Sequence, residues 1–591
     1  MKHLLKHNKP YIPLIIGVIF ALCLQAYMNL TLPNIMSDIV NVGIQGYTSQ
    51  IETAVGAEKE ALIARQQSYI LKTGLKMLGV SVLVSLAGLL SQFFSARWGA
   101  GLSRDLRKTV FTKIESFSGV EFDKFSTASL ITRTTNDINA IQMITTMGMR
   151  MMIFAPIMGF GAIFMAVKKA PSMAWINALC VLLVACVMTI MFKVVSPKFL
   201  VIQKIVDKLN LIARESLSGL LVVRAFSTQK YEQERYDETN REFKEVNLFV
   251  NRATSLLNPA MGLFNTLLPV LIVWVGAGRI AHSELLVGDM MAFIQYSANI
   301  MQAFMMVSSM FVMAPRALVS LKRIGEVLDT ENEITEKENT IPVLSDRCSV
   351  EFKEVSFAYP NSDGYAIEDI SFTVNPGEIT AVIGSTGCGK TSMVNLIPRL
   401  YDVSKGSVSI NGVDVRDMAF DNLRSLIGYV PQKSSLLSGT INSNMLRVKP
   451  DATQEEIKKA CEIAQAADFI EKLPERYDAP VSAGGSNFSG GQKQRLCIAR
   501  AVLKKSPIYI FDDSFSALDF TTDLNLRKAL KENLSDSAII IIGQRVSSIM
   551  NSEQIIVMDE GKIVGKGTHG ELLKTCEQYR EIAYSQLEEE V

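Results

Sequence analysis

Long apolar stretches alternate with long charged connections through the first half of the chain. Six stretches are apolar over about 20 residues or more, the length that an α-helix needs to cross a lipid bilayer. They lie at residues 11–33, 71–96, 147–167, 173–195, 257–281 and 287–314. The pattern therefore predicts six membrane-spanning helices.

Two of the connections, residues 97–146 and 196–256, are long, rich in Lys and Arg, and keep a helical period of apolar positions. Basic loops stay on the cytoplasmic side of a membrane, so both connections are predicted to be cytoplasmic. Their helices are expected to continue well out of the membrane and to turn near Asp123 and Ser216. Both turning points keep apolar residues, which predicts that they pack against another part of the protein. The alternative is that they are solvated loops.

The N-terminus carries Lys2, Lys6 and Lys9 and is predicted to be cytoplasmic as well. No small-residue cleavage site follows the first apolar stretch, so this stretch is expected to remain as an uncleaved span. Lys168 and Lys169 fall on the opposite side, against the rule, in a segment short enough for them to snorkel to the surface.

The middles of the predicted spans hold almost no ionisable residues, which disfavours an ion-coupled transporter. Methionine is abundant instead in the third and sixth spans. The methionines are Met147, Met149, Met151, Met152, Met158 and Met165, and Met290, Met291, Met301, Met305, Met306, Met310 and Met313. A flexible, polarizable surface suits varied apolar ligands, whereas ordinary helix packing or lipid contact is the equally simple alternative.

The composition agrees with a membrane part joined to a soluble part. The 591 residues are 48% hydrophobic with a mean hydropathy of +0.21, too long for one domain and too apolar for a wholly soluble enzyme. A net charge of +1 leaves no basic excess for nucleic acid. The eight cysteines include no C-x-x-C pair, which favours reduced thiols over a disulfide framework or a zinc site.

The second half changes character after residue 325. Residues 1–325 form the predicted transmembrane domain, and residues 326–347 are charged and polar, as in a linker. From residue 348 to residue 591 strands and helices alternate, which predicts an α/β nucleotide-binding domain.

A phosphate-binding loop is the strongest motif of this half. Between an apolar strand and a predicted helix, the pattern G-x-x-x-x-G-K-[ST] is filled by Gly384, Ser385, Thr386, Gly387, Cys388, Gly389, Lys390 and Thr391. The glycines let backbone N–H groups close on a phosphate chain at a helix N-terminus. Lys390 is predicted to reach the outer phosphates of ATP, and Thr391 to hold Mg²⁺.

Further residues fit the same chemistry. Tyr359 is a candidate to stack on adenine. Gln432 follows a predicted strand and is placed to reach the metal or its water, and Asp512 ends an apolar strand as the expected acidic residue beside Mg²⁺. A second phosphate-binding segment is predicted at the start of another helix. It consists of Ser489, Gly490, Gly491 and Gln492.

These motifs, followed by Ser516-Ala517-Leu518-Asp519, resemble the ATPase domain of an ABC transporter, and the six preceding spans resemble the exporter type with one half-transporter per chain. The resemblance implies a fold of six transmembrane helices followed by a P-loop ATPase domain. It also implies that two ATPase domains pair head to tail, with each ATP held by the phosphate loop of one domain and the signature and Asp519 region of the other. The turns near Asp123 and Ser216 would then be coupling helices, each docking on the partner's ATPase domain.

The chain departs from that family at two positions. Asp513 stands where the family has the Glu that acts as general base, and Gln544 stands where it has the switch His that contacts the γ-phosphate. Both changes affect hydrolysis and leave the binding groups intact, so tight ATP binding with slow cleavage is expected at the site built on Lys390. The signature is nearly intact, with Phe488 in place of Leu.

A weak base beside an intact signature resembles the degenerate-site subunit of bacterial heterodimeric multidrug exporters. The expected partner is a homologous half-transporter with Glu and His, and the expected substrate is a hydrophobic or amphipathic small molecule exported across the cytoplasmic membrane. The alternatives are a homodimer with two weak sites, a lipid or peptide exporter, an importer, and an ATP-sensing regulatory subunit.

Overall fold

A computed structural model describes residues 7–360 and 362–587, apart from eight side chains within those ranges. Those eight side chains belong to Asp123, Leu200, Asn258, Ser308, Phe311, Val312, Arg316 and Leu587. Lys2, Lys6 and the side chain of Asp123 therefore lie outside the described residues. The chain divides into two compact units, one of residues 7–115 with Thr127–Thr330, and one of Ser116–Ser126 with the residues from Glu331 onward.

Residues 7–330 are almost wholly helical. The α-helices are α1 (Ile12–Asp38), α2 (Tyr47–Thr53), α3 (Ala57–Glu115), α4 (Gly119–Lys124), α5 (Thr127–Thr132), α6 (Ile138–Met143), α7 (Met149–Lys169), α8 (Ala174–Ser218), α9 (Leu220–Ala225), α10 (Gln229–Ser255), α11 (Leu257–Ala281) and α12 (Val287–Asp329). Short 3₁₀ turns occupy Lys9–Tyr11 and Pro171–Met173, and π-helical turns occupy Ile39–Gly46, Arg133–Asp137 and Ile144–Gly148.

Five helical stretches of the described chain are long and apolar enough to cross a membrane. They are Lys9–Thr53, Ala57–Glu115, Thr127–Lys169, Pro171–Ser218 and Gln229–Ala281, and they contain the first five predicted spans. The sixth predicted span lies in α12, an unbroken helix of 43 residues, and stays a prediction as a span. Helix α3 has 59 residues and is about 90 Å long at 1.5 Å per residue, so it extends far beyond a hydrocarbon core of about 30 Å.

Lys169 has a counter-charge within the chain, which the sequence did not reveal, and its snorkelling stays a prediction. Its ammonium lies 2.9 Å from Asp289 Oδ1, and the Ser37 hydroxyl donates to the same oxygen at 2.6 Å. The Asn41 side chain accepts from the backbone N–H of Gly288 beside this pair, at 2.7 Å. The cluster joins α1, α7 and α12. Lys169 and Asp289 are both half-buried, and each supplies the counter-charge that the other needs at such a position.

The methionines differ in their exposure. Met158 and Met301 are each only 3% exposed and pack in the helical core of the first unit. Met152 and Met305 are about half exposed in this chain, at 53% and 47%. Ordinary packing therefore accounts for the first pair and leaves the second pair on the surface of the helical unit.

The second unit is an α/β domain. Its strands are β1 (Val350–Phe357), β2 (Ile367–Val374), β3 (Ile379–Gly384), β4 (Lys405–Ile410), β5 (Val413–Asp414), β6 (Ile427–Val430), β7 (Gly439–Thr440), β8 (Pro480–Val481), β9 (Ile508–Asp512), β10 (Ala538–Ile542), β11 (Gln554–Asp559) and β12 (Lys562–Gly567). One sheet has the order β2-β1-β4-β5, a second has the order β12-β11-β3-β10-β9-β6, and β7 pairs with β8.

The second sheet positions the candidate site. Strands β11, β3, β10, β9 and β6 are parallel, so their carboxyl ends meet at one edge, where ligands bind in open α/β sheets. Strands β9 and β10 are buried along their whole length, which explains why their sequences read as continuous apolar runs.

Short helices connect the strands of this unit. They are α13 (Lys390–Asn395), α14 (Phe420–Ser425), α15 (Ile441–Leu446), α16 (Gln454–Ile463), α17 (Ala467–Ile470), α18 (Gly490–Leu503), α19 (Phe520–Asn533), α20 (Val546–Ile549), α21 (His569–Thr575) and α22 (Glu577–Leu587), with 3₁₀ turns at Val415–Asp417, Arg476–Asp478 and Ala483–Gly485.

The first predicted turning point belongs to the ATPase unit of its own chain. Glu121, 4% exposed, closes the start of α4 by accepting from the Ser118 N–H at 2.7 Å, and its other oxygen accepts from the Glu333 N–H at 2.7 Å. Gly119 lies against Tyr401, where an added Cβ would approach the ring at 2.8 Å. The solvated-loop alternative is therefore wrong for this loop, and docking on a partner's ATPase domain stays a prediction.

The second turning point is different. Helix α9 has no buried residue, and Leu221 and Phe226 are 82% and 75% exposed. These two side chains, with the 60%-exposed Val222 between them, form an exposed apolar face that we call the second-loop face.

Replacing Glu121 with Ala is expected to release the first loop. The variant removes a buried carboxylate that several donors share, so a loss of about 2 kcal/mol of local stability is expected. Burial alone would raise the pKa of the Glu121 carboxyl, but hydrogen bonds from Ser118 and the Glu333 amide hold it below its ordinary value. The stabilisation is therefore present above the ordinary pKa of a carboxyl group and is lost as the pH falls through the lowered value.

Hydrogen–deuterium exchange of residues 116–126 at neutral pH measures this effect. Glu333→Ala is the matched control, because that carboxylate is exposed and only its backbone N–H contacts Glu121. Equal exchange in wild type and Glu121→Ala would contradict the assignment of Glu121 as the anchor of the loop.

Candidate functional site

The phosphate loop follows β3 and ends at the start of α13. A Cβ on Gly384 would collide with the Met558 carbonyl oxygen, and a Cβ on Gly389, whose φ is +97°, would lie 2.6 Å from the Ala366 carbonyl oxygen. Gly387 has a φ of +87°, and a Cβ there would meet no atom within 4 Å. The loop is therefore packed tightly at its two ends and faces open space in the middle, where a phosphate chain fits.

Lys390 crosses beneath this loop. Its ammonium donates to the carbonyl oxygens of Gly384 and Ser385, at 2.7 Å each, and to the sulfur of the buried Cys388 at 3.5 Å. The side chains of Ser385 and Thr386 are exposed. The positive charge of Lys390 is thus already at the loop, where its partners are two carbonyl oxygens and a thiol.

Thr391 and Asp512 form the acidic side of the site. The Thr391 hydroxyl donates to Asp512 Oδ1 at 3.2 Å. Asp512 is 1% exposed, and its Oδ2 atom has no hydrogen-bond partner among the described residues. Burial raises the pKa of Asp512 to about 6, the neighbouring Asp513 acts in the same direction, and the Thr391 hydroxyl opposes them.

A buried carboxylate with an unpaired oxygen beside a hydroxyl group fits a hard divalent cation. Mg²⁺ is bound by one or two protein oxygen ligands together with phosphate oxygens and waters. Thr391 and Asp512 are the residues that would hold it, and the ion would neutralise charge on the phosphates of ATP.

Three other predicted residues come together beside Asp512. Gln544 Nε2 donates to Asp513 Oδ2 at 3.0 Å. Burial raises the pKa of the Asp513 carboxyl, and a hydrogen bond with the Gln432 side chain is the first of the effects that oppose this rise. Asp513 has a φ of +47°, in the left-handed region that few residues other than glycine adopt, which marks the sharp turn at the end of β9.

Tyr359 is fixed by its neighbours. Its hydroxyl lies 2.9 Å from Ser392 Oγ, directly after the phosphate loop. Its ring makes edge contacts with Phe357 and Tyr401, at centroid distances of 4.8 Å and 5.3 Å. The ring is therefore rigid and next to the loop, as an adenine-stacking residue requires, and the stacking itself stays a prediction.

The signature residues lie at the start of α18. The Ser489 hydroxyl accepts from the Gln492 N–H at 3.3 Å, and the Gln492 side chain accepts from the Ser489 N–H at 3.0 Å, which forms a capping box. Ser489 and Gly490 are exposed, whereas Gly491 is half-buried. No hydrogen bond among the described residues links this segment to the phosphate loop of the same chain.

Asp519 caps the next helix. Its carboxylate accepts from the Thr522 N–H at the start of α19, at 3.0 Å, and this backbone hydrogen bond lowers the pKa of Asp519. Its predicted place in a second nucleotide site stays a prediction, because such a site needs another chain.

Sequence reasoning missed Gln494. This residue is 6% exposed on α18, donates to the Asp513 carbonyl oxygen at 3.5 Å and accepts from the Ala517 N–H at 3.2 Å. It therefore holds the backbone that follows β9. The available signal was a polar residue at a buried position of an apolar helix face, which has to find a partner.

Comparisons with known proteins agree with this geometry. The family model described as ABC transporter transmembrane region matches residues 14–304, and the model described as ABC transporter matches residues 367–516. A protein named ABC transporter ATP-binding protein from Mycobacterium tuberculosis is 36% identical over 585 residues, which are 98% of this chain and 97% of that protein.

Two further proteins extend the comparison. An ATP-dependent lipid A-core flippase of Desulfotalea psychrophila is 32% identical over 494 residues, which are 82% of this chain and 84% of that protein. A solved bacterial Atm1-family ABC exporter with ATP bound has the same fold, with a TM-score of 0.78 at 24% identity over 97% of this chain and 98% of that one.

Replacing Asp512 with Asn is expected to remove the dependence of ATP binding on Mg²⁺. The amide keeps the size of the carboxyl group but lacks the charge that a divalent cation needs. ATP affinity in the presence of a chelator should change by less than about twofold, while the gain on adding Mg²⁺ should fall by about tenfold or more.

Competition with a fluorescent nucleotide, with and without Mg²⁺, measures both affinities. Asp451→Asn, an exposed position of the same unit, is the control. If Mg²⁺ raises the ATP affinity of the Asp512 variant as much as that of the wild type, Asp512 is not a ligand of the metal.

Proposed function

This chain belongs to the ABC transporter family, and we propose that it is one half of a heterodimeric exporter that moves hydrophobic or amphipathic small molecules across the cytoplasmic membrane. In this proposal the ATP site built on Lys390 is the catalytically weak one. The observation that carries the proposal is the hydrogen bond between Gln544 and Asp513, the two residues that replace His and Glu.

Asp513 is a poor general base for this geometry. A base must lie within hydrogen-bond reach of the water that it activates, and such a base is worth about 10²–10⁴ in rate. Aspartate is one methylene shorter than glutamate, so its carboxylate ends about one ångström short. One of its oxygens also accepts from Gln544, which orients the carboxylate toward that side chain.

Gln544 is a weaker switch residue than histidine. Its amide can donate to a phosphate oxygen, but it cannot carry the positive charge of an imidazolium. One of the two N–H donors of this amide is engaged with Asp513, so only the other is left for the γ-phosphate. Slow cleavage with tight binding follows from both substitutions.

The intact signature supports a partner of different sequence. Ser489 and Gly490 are exposed at the N-terminus of the 14-residue helix α18, where backbone N–H groups and the helix dipole favour a phosphate. A homologous half-transporter with Glu and His would use this signature to complete one competent site. The second-loop face supports the same pairing, because exposed apolar surface of this kind is typical of a protein–protein contact.

Alternating access follows from two ATPase domains that bind ATP between them. When ATP and Mg²⁺ are bound, their charges attract groups of both ATPase domains, which favours the closed pair. The long helices, such as the 59-residue α3, transmit that closure to the membrane unit. We place the N-terminus and the ATPase unit in the cytoplasm, because the long basic connections lie on that side.

A lipid is the second candidate substrate. Two of the related proteins are named lipid A-core flippases, at 32% and 31% identity. Exposed apolar residues such as Met152 and Met305 suit either a drug-like molecule or an acyl chain. Vesicles that contain a fluorescent lipid, tested beside vesicles loaded with a hydrophobic dye, separate the two substrates. Flux of neither, with the right partner present, would favour the ATP-sensing subunit.

The decisive variant restores the family's residues at both positions. In the chain alone, reconstituted in lipid, Asp513→Glu with Gln544→His is expected to raise ATP turnover by about 10²-fold, because it supplies the base and the charge that the wild type lacks. With the partner present, the same variant should raise total turnover by about twofold, since a second site then contributes.

Lys390→Ala in the restored chain is the control and should abolish the gain. Brisk ATP turnover by the wild-type chain alone, lost on Asp513→Ala, would make Asp513 a working base and the homodimer the transporter.

A further inference from the structure

The C-terminal helix α22 packs directly on the segment that follows the switch residue. Tyr579 and Ala583 are fully buried in one hydrophobic cluster with Val546 and Ile549 of α20. The Tyr579 hydroxyl also lies 2.7 Å from His569 Nδ1 at the start of α21. The helix is therefore anchored by its own apolar face, independently of the residue considered next.

Gln586, near the end of α22, contacts the switch segment with both ends of its side-chain amide. Its Nε2 atom donates to the carbonyl oxygen of Gln544 at 2.8 Å, and its Oε1 atom accepts from the N–H of Val546 at 2.7 Å. The two hydrogen bonds enclose the single residue Arg545. Rotation of the backbone on either side of Arg545 would break one or both of them.

Helix α20 explains why the second contact is needed. It is a single turn of four residues, and its N-cap, Arg545, makes no side-chain cap. The first N–H groups of any helix have no partner within the helix. The Gln586 side chain therefore takes the place of the missing cap from a distant part of the chain, 40 residues away.

We propose that Gln586 is a positioning residue for Gln544, and that the C-terminal helix thereby sets how well the site distinguishes ATP from ADP. This inference rests on the role proposed above for Gln544 at the γ-phosphate. Gln586 acts through the backbone and not by contact with the nucleotide. It fixes the backbone from which the Gln544 side chain extends toward Asp513 Oδ2.

The readout is the ratio of ATP affinity to ADP affinity, because only ATP carries the phosphate that Gln544 would contact. It is measured on the purified full chain in lipid nanodiscs, with Mg²⁺, by competition of ATP and ADP against a fluorescent nucleotide. Gln544→Ala should lower the ratio by about tenfold through the affinity for ATP alone. Gln586→Ala should lower it by about threefold, with ADP affinity unchanged.

The double variant tests whether Gln586 acts through Gln544. If it does, Gln586→Ala adds less than about twofold to the loss already caused by Gln544→Ala, because the positioned side chain is gone. Independent effects would multiply to about thirtyfold. Gln578→Ala, an exposed glutamine of the same helix, is the matched control and should leave the ratio unchanged.

Hydrogen–deuterium exchange supplies a readout that does not need nucleotide. In Gln586→Ala the Val546 N–H should exchange faster, while the segment around Tyr579 keeps wild-type protection because its apolar anchor is intact. Gln586→Glu should also lower the affinity ratio, because a carboxylate can still accept from Val546 but cannot donate to the Gln544 carbonyl oxygen.

Three results would overturn the inference while leaving the proposed role of Gln544 intact. One is a wild-type affinity ratio in Gln586→Ala when Gln544→Ala lowers the ratio. The second is an equal fall in ATP and ADP affinity, which would indicate a general structural role, and the third is multiplicative loss in the double variant. A wild-type ratio in Gln544→Ala itself would instead remove the proposed contact of Gln544 with the γ-phosphate, and the inference with it.

Discussion

Parallel pairing of β3, β10 and β9 is the constraint on which the site depends. Ile542 of β10 lies opposite Val382 of β3 on one side and opposite Asp512 of β9 on the other. The phosphate loop, the switch residue and the acidic pair therefore all begin within two residues of one rung of the sheet. A slip of one residue in any of these strands would turn its side chains to the other face and separate the groups.

The local chemistry of the site could be predicted from the sequence, because each motif sits directly after its own strand. The glycines around Lys390 and the carboxylate of Asp512 are fixed by short-range rules of turn and strand. The meeting of Asp513 with Gln544, and of Gln586 with the switch segment, depends on contacts between residues 31 and 40 or more positions apart. No local pattern of apolar and polar positions encodes such contacts.

The membrane unit shows the same division. Hydropathy was sufficient to place five helices that are long and apolar enough to cross a membrane. It could not reveal that Lys169 finds Asp289 on a helix more than a hundred residues away, nor that Glu121 accepts from the backbone of Glu333. In both places a charged residue that is largely or partly buried pairs with a group from a distant segment of the chain. Only folding brings the two segments together.

The second-loop face has a consequence for the life of the protein in the cell. If the chain pairs as proposed, a newly made copy without its partner would expose Leu221, Val222 and Phe226 to the cytoplasm. Chaperones and proteases act on exposed apolar segments of this kind. In the proposed heterodimer, the steady-state abundance of this chain would therefore depend on the supply of the second subunit as well as on the stability of its own fold.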